Sequence, residues 1–314
     1  MAYSYKKPLP LLFAIIVDCL LLPLYFFRKQ AFDLSSCKTI LIFSTGGIGD
    51  AMLLEPLLRS LQKTLPELAI DIVARTTPSE LLKLIPGIRK IILFPEYSEQ
   101  SYFSIWRIFY KQEINNLKNK YDAAFDAKGD ATAILMMLAL RIRRRAGYRN
   151  GALGALLTKS ADAEEAIPKW QQHLKVCGFP LTTAPALKID SISKQNIAAI
   201  HLGAGEAVKR APLKLWIEQL SAIPKEYSII ALGSEEDKQY LAALPEEWQE
   251  KIIDHAGLSL YDEIKLLASA ELFIGHDTGL THIAAALGIP IISLFSLSHN
   301  PAIWAPSPAK IITF

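Results

Sequence analysis

Cysteine is scarce in this chain of 314 residues: Cys19, Cys37 and Cys177 lie far apart, form no CxxC and have no histidine at metal-ligand spacing. That excludes a disulfide framework and a structural zinc site, and it fits a reducing compartment where each thiol is a small buried apolar residue. Net charge is nearly as sparse, at +3, too little for nucleic acid to be the main partner. No tandem repeat is present, which sets a solenoid aside. With 51% hydrophobic and 21% charged residues, the chain has the material for two α/β domains of roughly 150 residues each.

The longest apolar run is Pro8 to Phe27, flanked by Lys6 and Lys7 on one side and Arg28 and Lys29 on the other. About 20 residues can span a bilayer. Against a clean span stand Pro23 and Asp18, a central carboxylate that costs roughly 2.5 to 3.5 kcal/mol there. LYFFRKQAFDLSS has no small-x-small cleavage site, so a signal peptide fits poorly. The expectation is an N-terminal apolar helix within residues 1–37 that lies in the interface, spans the membrane or docks on the protein itself. Under the first two, its basic flanks meet anionic headgroups.

From Lys38 the chain reads as strand (KTILIFS), glycine loop (TGGIGD) and a helix through AMLLEPLLRSLQKTL. Strands Ile70–Ala74 and Ile88–Phe94 follow, with a helix at SELLKLI between them, and this alternation predicts a doubly wound parallel sheet. Gly46, Gly47 and Gly49 are not a P-loop, because no Lys follows, and GGIGD does not match GxGxxG. Asp50, just past them, either favours the helix dipole or faces a cleft as a general base, with the glycines letting a substrate approach. Further on come an amphipathic helix over Tyr102–Leu117, a strand and turn over Tyr121–Gly129, and the arginines Arg141, Arg143, Arg144, Arg145 and Arg149. The arginines are either a solvated face leading into strand RRAGY or a phosphate-holding cluster.

A helix in AEEAIPKWQQHLKVCGF and a linker, LTTAPALKIDSISKQ, precede a second α/β unit opening on strand Ile197–His201. Lys209 and Arg210 stand just before a helix near Pro212, as a polar loop or as a point charge for a diphosphate. Strand YSIIALG ends in Gly233, and the acidic Glu235, Glu236 and Asp237 beyond it either cap a helix or accept ribose or sugar hydroxyls. The stretch FIGHDTGLTHIAAALGIPIISLF, Phe273–Phe295, reads as strand, turn, helix and strand. Asp277 or Thr278 caps that helix, and its N-terminus, with the hydroxyls of Thr278 and Thr281 and the ring of His282, suits a diphosphate. The alternative is a capped turn with nothing bound.

In this order and spacing, TILIFSTGGIGDAMLLEPLLRSL, HLGAGEAVKRAP and ELFIGHDTGLTHIAAALGIPIISLF together resemble glycosyltransferase family 9, known best for ADP-heptose:lipopolysaccharide heptosyltransferases. The resemblance runs from Lys38 over nearly the whole remaining chain. It implies a GT-B fold, two Rossmann-like doubly wound domains facing a cleft: residues 38–190 for the acceptor and 191–314 for the nucleotide-sugar donor. It implies an inverting transfer without a metal ion or other cofactor, most simply of heptose from ADP-heptose to a lipopolysaccharide core or related surface glycan. The family's base falls on Asp50, behind Gly46, Gly47 and Gly49; its diphosphate lysine falls on Lys209; its D-T-G-L-x-H run falls on Asp277, Thr278, Gly279, Leu280 and His282, with Thr281 between. Its acidic donor ligand falls on Glu236, with Glu235 adjacent.

Residues 8–29 would meet the membrane surface, at the cytoplasmic face of a bacterial inner membrane, as a peripheral or single-helix-anchored protein. The chain departs from the family pattern at Ala211, where Trp is usual, and at Ser296–His299, where G-P-T-D is usual; it ends at Phe314, ahead of the closing helix common in the fold. Two other readings accompany these departures: a catalytically lapsed paralogue serving as a partner in glycan assembly, and a GT-B nucleotide-sugar epimerase.

Overall fold

The computed structural model describes residues 32–94, 113–149, 153–164, 166–189, 192–306 and 308–314, with Leu20 alone before them. Apart from Leu20, the apolar run Pro8–Phe27 with its basic flanks, and most of the helix expected over Tyr102–Leu117, lie outside these. Among the described residues no helix is long and apolar enough to cross a membrane. The chain forms two compact units, one reaching to Glu164 and including Trp170–Thr183, the other comprising Glu165–Lys169 and Ala184–Phe314.

In the first unit the order is β1 (Thr39–Ser44), α1 (Ile48–Met52), α2 (Glu55–Thr64), β2 (Ala69–Ala74), α3 (Thr76–Leu82), β3 (Ile88–Leu93), α4 (Asn115–Leu117), β4 (Ala123–Asp126), α5 (Ala131–Ala139), β5 (Arg144–Tyr148), β6 (Lys159–Ala161) and α6 (Lys169–Cys177, all but its first residue). The strands form one parallel sheet, β3-β2-β1-β4-β5-β6. Central β1 is covered on both faces, so its apolar run is unbroken and Ile40 to Phe43 are fully buried. Leu41 and Phe43 pack with Ile134 and Met137 of α5; the pleat turns Ile40 and Ile42 to the opposite face.

The single helix expected through AMLLEPLLRSLQKTL is two, α1 and α2, broken at Leu53–Leu54. Pro56 is the cause: it has no N–H for the Met52 carbonyl, and it sits instead in the first turn of α2, where no such donor is needed. Strand β6 is a second departure, because KSA is too short to register as an apolar run.

The second unit repeats the plan with β7 (Ile197–His201), α7 (Leu213–Ser221), β8 (Ser228–Ala231), α8 (Lys238–Ala242), α9 (Glu246–Gln249), β9 (Ile252–Asp254), α10 (Leu260–Ser269), β10 (Leu272–His276), α11 (Gly279–Ala286), β11 (Ile291–Phe295), α12 (Pro301–Trp304) and β12 (Lys310–Thr313). Its sheet is also parallel, β9-β8-β7-β10-β11-β12. Ile200, Ile274 and Leu294 meet Trp216 and Leu220 of α7 in its core. Strand β12, unforeseen in the sequence, pairs along β11 from Ile292↔Lys310 to Phe295↔Thr313. Both sheets thus have the strand order of a Rossmann unit, and each reverses direction between its first and fourth strand.

A buried carboxylate sits in the sheet of the first unit. Asp71, mid-β2 and buried, accepts from Arg89 Nε at 2.8 Å, from Arg89 Nη2 at 2.7 Å and from the Tyr121 hydroxyl at 2.7 Å. Because half of the Arg89 side chain is exposed, its ion pair adds little to stability. The buried Tyr121 hydroxyl is the group that cannot be left alone. Asp71→Ala is therefore expected to lower the unfolding free energy by about 2 kcal/mol in urea denaturation, with Asp71→Asn recovering part of the loss. Equal stability of wild type and Asp71→Ala contradicts this.

Candidate functional site

In the second unit β7 ends at His201 and β10 at His276, side by side where the strand order reverses. Chains leave these two ends in opposite directions, opening the crevice in which parallel sheets bind ligands. After β7 the chain makes a 3-10 turn, Ala207–Lys209, and Lys209 Nζ donates to Asp277 Oδ2 at 3.0 Å. Asp277 Oδ1 lies 3.7 Å from His282 Nε2. Burial by itself would raise the Asp277 pKa, but the nearby His282 ring and the Lys209 ammonium outweigh it and hold the carboxyl below its usual range.

Thr278 occupies the N-cap of α11 in extended conformation, yet its side chain makes no capping bond. Its hydroxyl turns to His201 Nδ1 at 3.0 Å. Among the described residues no side chain caps this helix, so the first-turn N–H groups and the positive end of the dipole stay available. Gly279 follows. Thr281 departs from expectation: its hydroxyl is fully buried and donates to the His276 carbonyl, so it braces the turn and presents nothing outward. Leu280 and His282 are also buried.

The turn itself hangs on His276, which sequence reasoning passed over. Its fully buried ring donates from Nδ1 to the Gly203 carbonyl at 3.0 Å, while Nε2 accepts from the Ala211 N–H at 2.8 Å and the Trp216 indole at 3.3 Å. Two donors on Nε2 require the neutral ring. Burial pushes its pKa down to about 4. Ala211, where the family usually has Trp, takes part through its backbone N–H, which any residue but proline supplies.

Beside this turn lies a cavity of about 320 Å³ whose lining includes His201, Gly205, Arg210, Glu236, Tyr240 and Thr278. Lys209 and Asp277 are not among its lining residues. Glu236 is exposed at the rim, whereas Glu235 is paired with Lys238 at 2.8 Å. Arg210 donates to the Ala204 carbonyl and stacks 4.8 Å from the Tyr240 ring centroid. The acidic residue most embedded here is Asp237, which accepts from the Ser234 N–H and hydroxyl and faces His201 Nε2 at 3.3 Å. A readable signal existed for it. A Cβ on Gly203 would lie 1.8 Å from one Asp237 oxygen and a Cβ on Gly233 2.6 Å from the other, so the glycines closing both strands make room for this carboxylate.

In the first unit the glycine loop wraps Asp50. Its Oδ2 accepts the Gly47 N–H at 2.9 Å, and a Cβ on Gly46 would collide with that same oxygen at 2.2 Å. Asp50 therefore caps its own helix while staying half-buried. Gly49 lies within α1. At the neighbouring strand end stands Asp126, fully buried, bonded to the N–H groups of Lys128 and Asp130 and pushed up to about 7 by burial and by Asp130. It carries no motif and was not foreseen. The arginine cluster is largely committed within the unit. Arg145 is buried against the carbonyls of Ile142, Arg143 and Leu156, Arg149 pairs with Asp162, and Arg144 reaches Ser36.

Two Rossmann units, the second with Lys209 paired to Asp277 ahead of an uncapped helix N-terminus, define a two-domain α/β protein. Residues 112–314 match the model of glycosyltransferase family 9 (heptosyltransferase), and the chain belongs to that family. It is 24% identical over 290 residues to lipooligosaccharide heptosyltransferase 2 of Haemophilus influenzae, covering 82% of each chain. Among solved structures it resembles E. coli ADP-heptose LPS heptosyltransferase II, with TM-score 0.70, 23% identity and coverage of 88% of this chain and 90% of the other. A family 9 glycosyltransferase of Veillonella parvula gives TM-score 0.74 at 17% identity, covering 91% and 87%. These structural likenesses show the fold, a GT-B-like pair of parallel α/β domains, and the family makes the chain a glycosyltransferase.

Because folded His276 resists protonation, the unfolded chain binds the extra proton between pH 6.5 and about 4. The neutral ring's contribution is therefore complete above pH 6.5 and lost as pH falls toward 4. Glu263, pushed up to about 7 chiefly by burial, works with opposite sign in this window, so a difference between variants isolates the histidine. His276→Ala is expected to cost about 3 kcal/mol near neutral pH and about 2 kcal/mol less near pH 5, read by denaturant unfolding. A penalty that does not change with pH contradicts the assignment.

Proposed function

We propose that the chain is an inverting, metal-independent heptosyltransferase that moves heptose from ADP-heptose to a lipopolysaccharide core or related surface glycan. The observation that carries this reading is the Lys209–Asp277 pair beside the uncapped N-terminus of α11. A departing nucleoside diphosphate needs its growing negative charge met by fixed positive charge, and an ammonium with oriented backbone N–H groups supplies it. Asp277 keeps the ammonium at the helix end, and Gly279, lacking a Cβ, lets a phosphate approach. Glu236, at the rim of the adjacent cavity, takes donor hydroxyls. Similar proteins, the E. coli ADP-heptose LPS heptosyltransferase II among them, point to the same donor and acceptor class.

In the proposed reaction the acceptor oxygen forms a bond to the anomeric carbon from the face opposite the diphosphate. The bond from that carbon to the phosphate oxygen breaks, and ADP leaves with the electron pair. Asp50 takes the acceptor's proton, the part that a carboxylate held by a backbone N–H suits. A lipid-linked acceptor would be met at the cytoplasmic face of the inner membrane, with residues 8–29 at the membrane surface.

Calorimetric titration of ADP-heptose, ADP, UDP and GDP without added metal tests the reading. ADP and ADP-heptose are expected to bind in preference to the others, and Lys209→Ala to weaken them by about tenfold or more. Asp50→Asn is expected to leave donor affinity within about twofold while lowering kcat by roughly 10² to 10⁴. Preference for UDP or GDP, or wild-type turnover in Asp50→Asn, contradicts it.

A further inference from the structure

The chain Asp237–His201–Thr278 has no part in the reading above, yet every hydrogen in it can be assigned. Asp237 is ionised: burial opposes this, but the bond to His201 and those to Ser234 hold its carboxyl below the usual range. A carboxylate only accepts, so His201 Nε2 carries a hydrogen toward it. In a neutral ring Nδ1 then has a lone pair and must accept from the Thr278 hydroxyl. Thr281 has already given its hydrogen to the His276 carbonyl, which leaves its 3.4 Å contact with Thr278 without a donor. With His201 neutral, Thr278 therefore offers a ligand only an acceptor, the wrong polarity for a phosphate.

We propose that His201 is a positioning residue whose protonation reverses Thr278: the ring then donates from Nδ1 to the threonine oxygen, and the freed hydroxyl hydrogen points to a phosphate oxygen of the donor. This rests on the diphosphate reading of the site. No covalent bond changes; one proton is taken from solvent as the anion binds, and Asp237 on the far side of the ring balances the new charge. Both His201 and Thr278 line the cavity, so the relay ends in the space where the donor is proposed to bind. Of the other charged or titratable groups around the ring, His276 on the neighbouring strand is held neutral by its three hydrogen bonds and Arg210 is occupied by the Ala204 carbonyl. Glu263 of α10, which accepts the Gly233 N–H at 2.6 Å and is pushed up to about 7, does not line the cavity and is unchanged in His201→Gln, so comparison with that variant reads the histidine. As the leaving diphosphate gains charge, the imidazolium keeps Thr278 in its donor orientation.

The test is calorimetry of the full chain with ADP-heptose, whose diphosphate diester has no proton to titrate near neutrality, in two buffers of different ionisation enthalpy between about pH 6 and 8. Wild type is expected to take up part of a proton and to bind more tightly as pH falls, by up to about tenfold per unit. His201→Gln is expected to bind still, with a profile flat to about twofold and no proton uptake. Asp237→Asn, which keeps an acceptor but not the charge, is expected to shift the linkage to lower pH. The same uptake in His201→Gln as in wild type, or none in wild type, overturns the proposal while leaving the donor reading intact. If His201→Gln loses its thermal transition, Asp237→Asn decides, an unmoved linkage being the overturning result. Failure of wild type to bind at any pH contradicts the donor reading, and with it this one.

Discussion

A neutral imidazole closed off from water holds the second unit's crevice in shape. His276 ends β10, and its two ring nitrogens reach the loop after β7, through Gly203, and the entry to α7, through Ala211 and Trp216. Its backbone carbonyl receives the Thr281 hydroxyl from α11. One residue thereby satisfies polar groups from three segments that would otherwise be buried unpaired, a penalty of about 1 to 3 kcal/mol for each. Those three segments are the ones that carry Lys209, Arg210, Asp277 and Thr278. The price of the arrangement is a ring that resists protonation in the fold down to about pH 4.

The two units solve the same topological problem with different chemistry. In each, the strand order reverses beside the first strand, and the loops leaving that point gather the polar residues. The second unit presents a lysine, an uncapped helix end and a histidine bonded to a carboxylate, which favour an anion. The first presents carboxylates: Asp50, held by the Gly47 N–H, and Asp126, buried at the adjacent strand end. In the proposed transfer the second unit's groups meet the leaving diphosphate and Asp50 of the first takes the acceptor's proton.

Much of this was legible before any coordinates, because parallel strands buried on both faces are written as unbroken apolar runs and turns as glycine and aspartate. TILIFS, IAAIH, AIDIVA with its single Asp71, and the HDTG turn are of this kind. So is Lys209, a cation ahead of a helix, and its partner Asp277 was marked by the same turn. What the sequence hides is pairing at a distance. Asp237 lies 36 residues from His201, and His276 lies 65 from Ala211, so nothing local marks either histidine as more than the end of a strand. Thr281 has the spacing of a ligand and the environment of a brace. Arg145 sits in a run of arginines, yet only the structure shows its carbonyl partners. The break before α2 was written in Pro56, and apolar periodicity on both sides obscured it.

The central claim is the transfer of one heptose. Its most direct test is to incubate the chain with ADP-heptose and a lipopolysaccharide core acceptor, and to read the acceptor by mass spectrometry and its new linkage by NMR. The account predicts an acceptor heavier by one heptosyl unit, ADP released in equal amount, and an anomeric configuration opposite to that of the donor. Retained configuration, free heptose with an unchanged acceptor, or a donor left intact by a folded protein contradicts it.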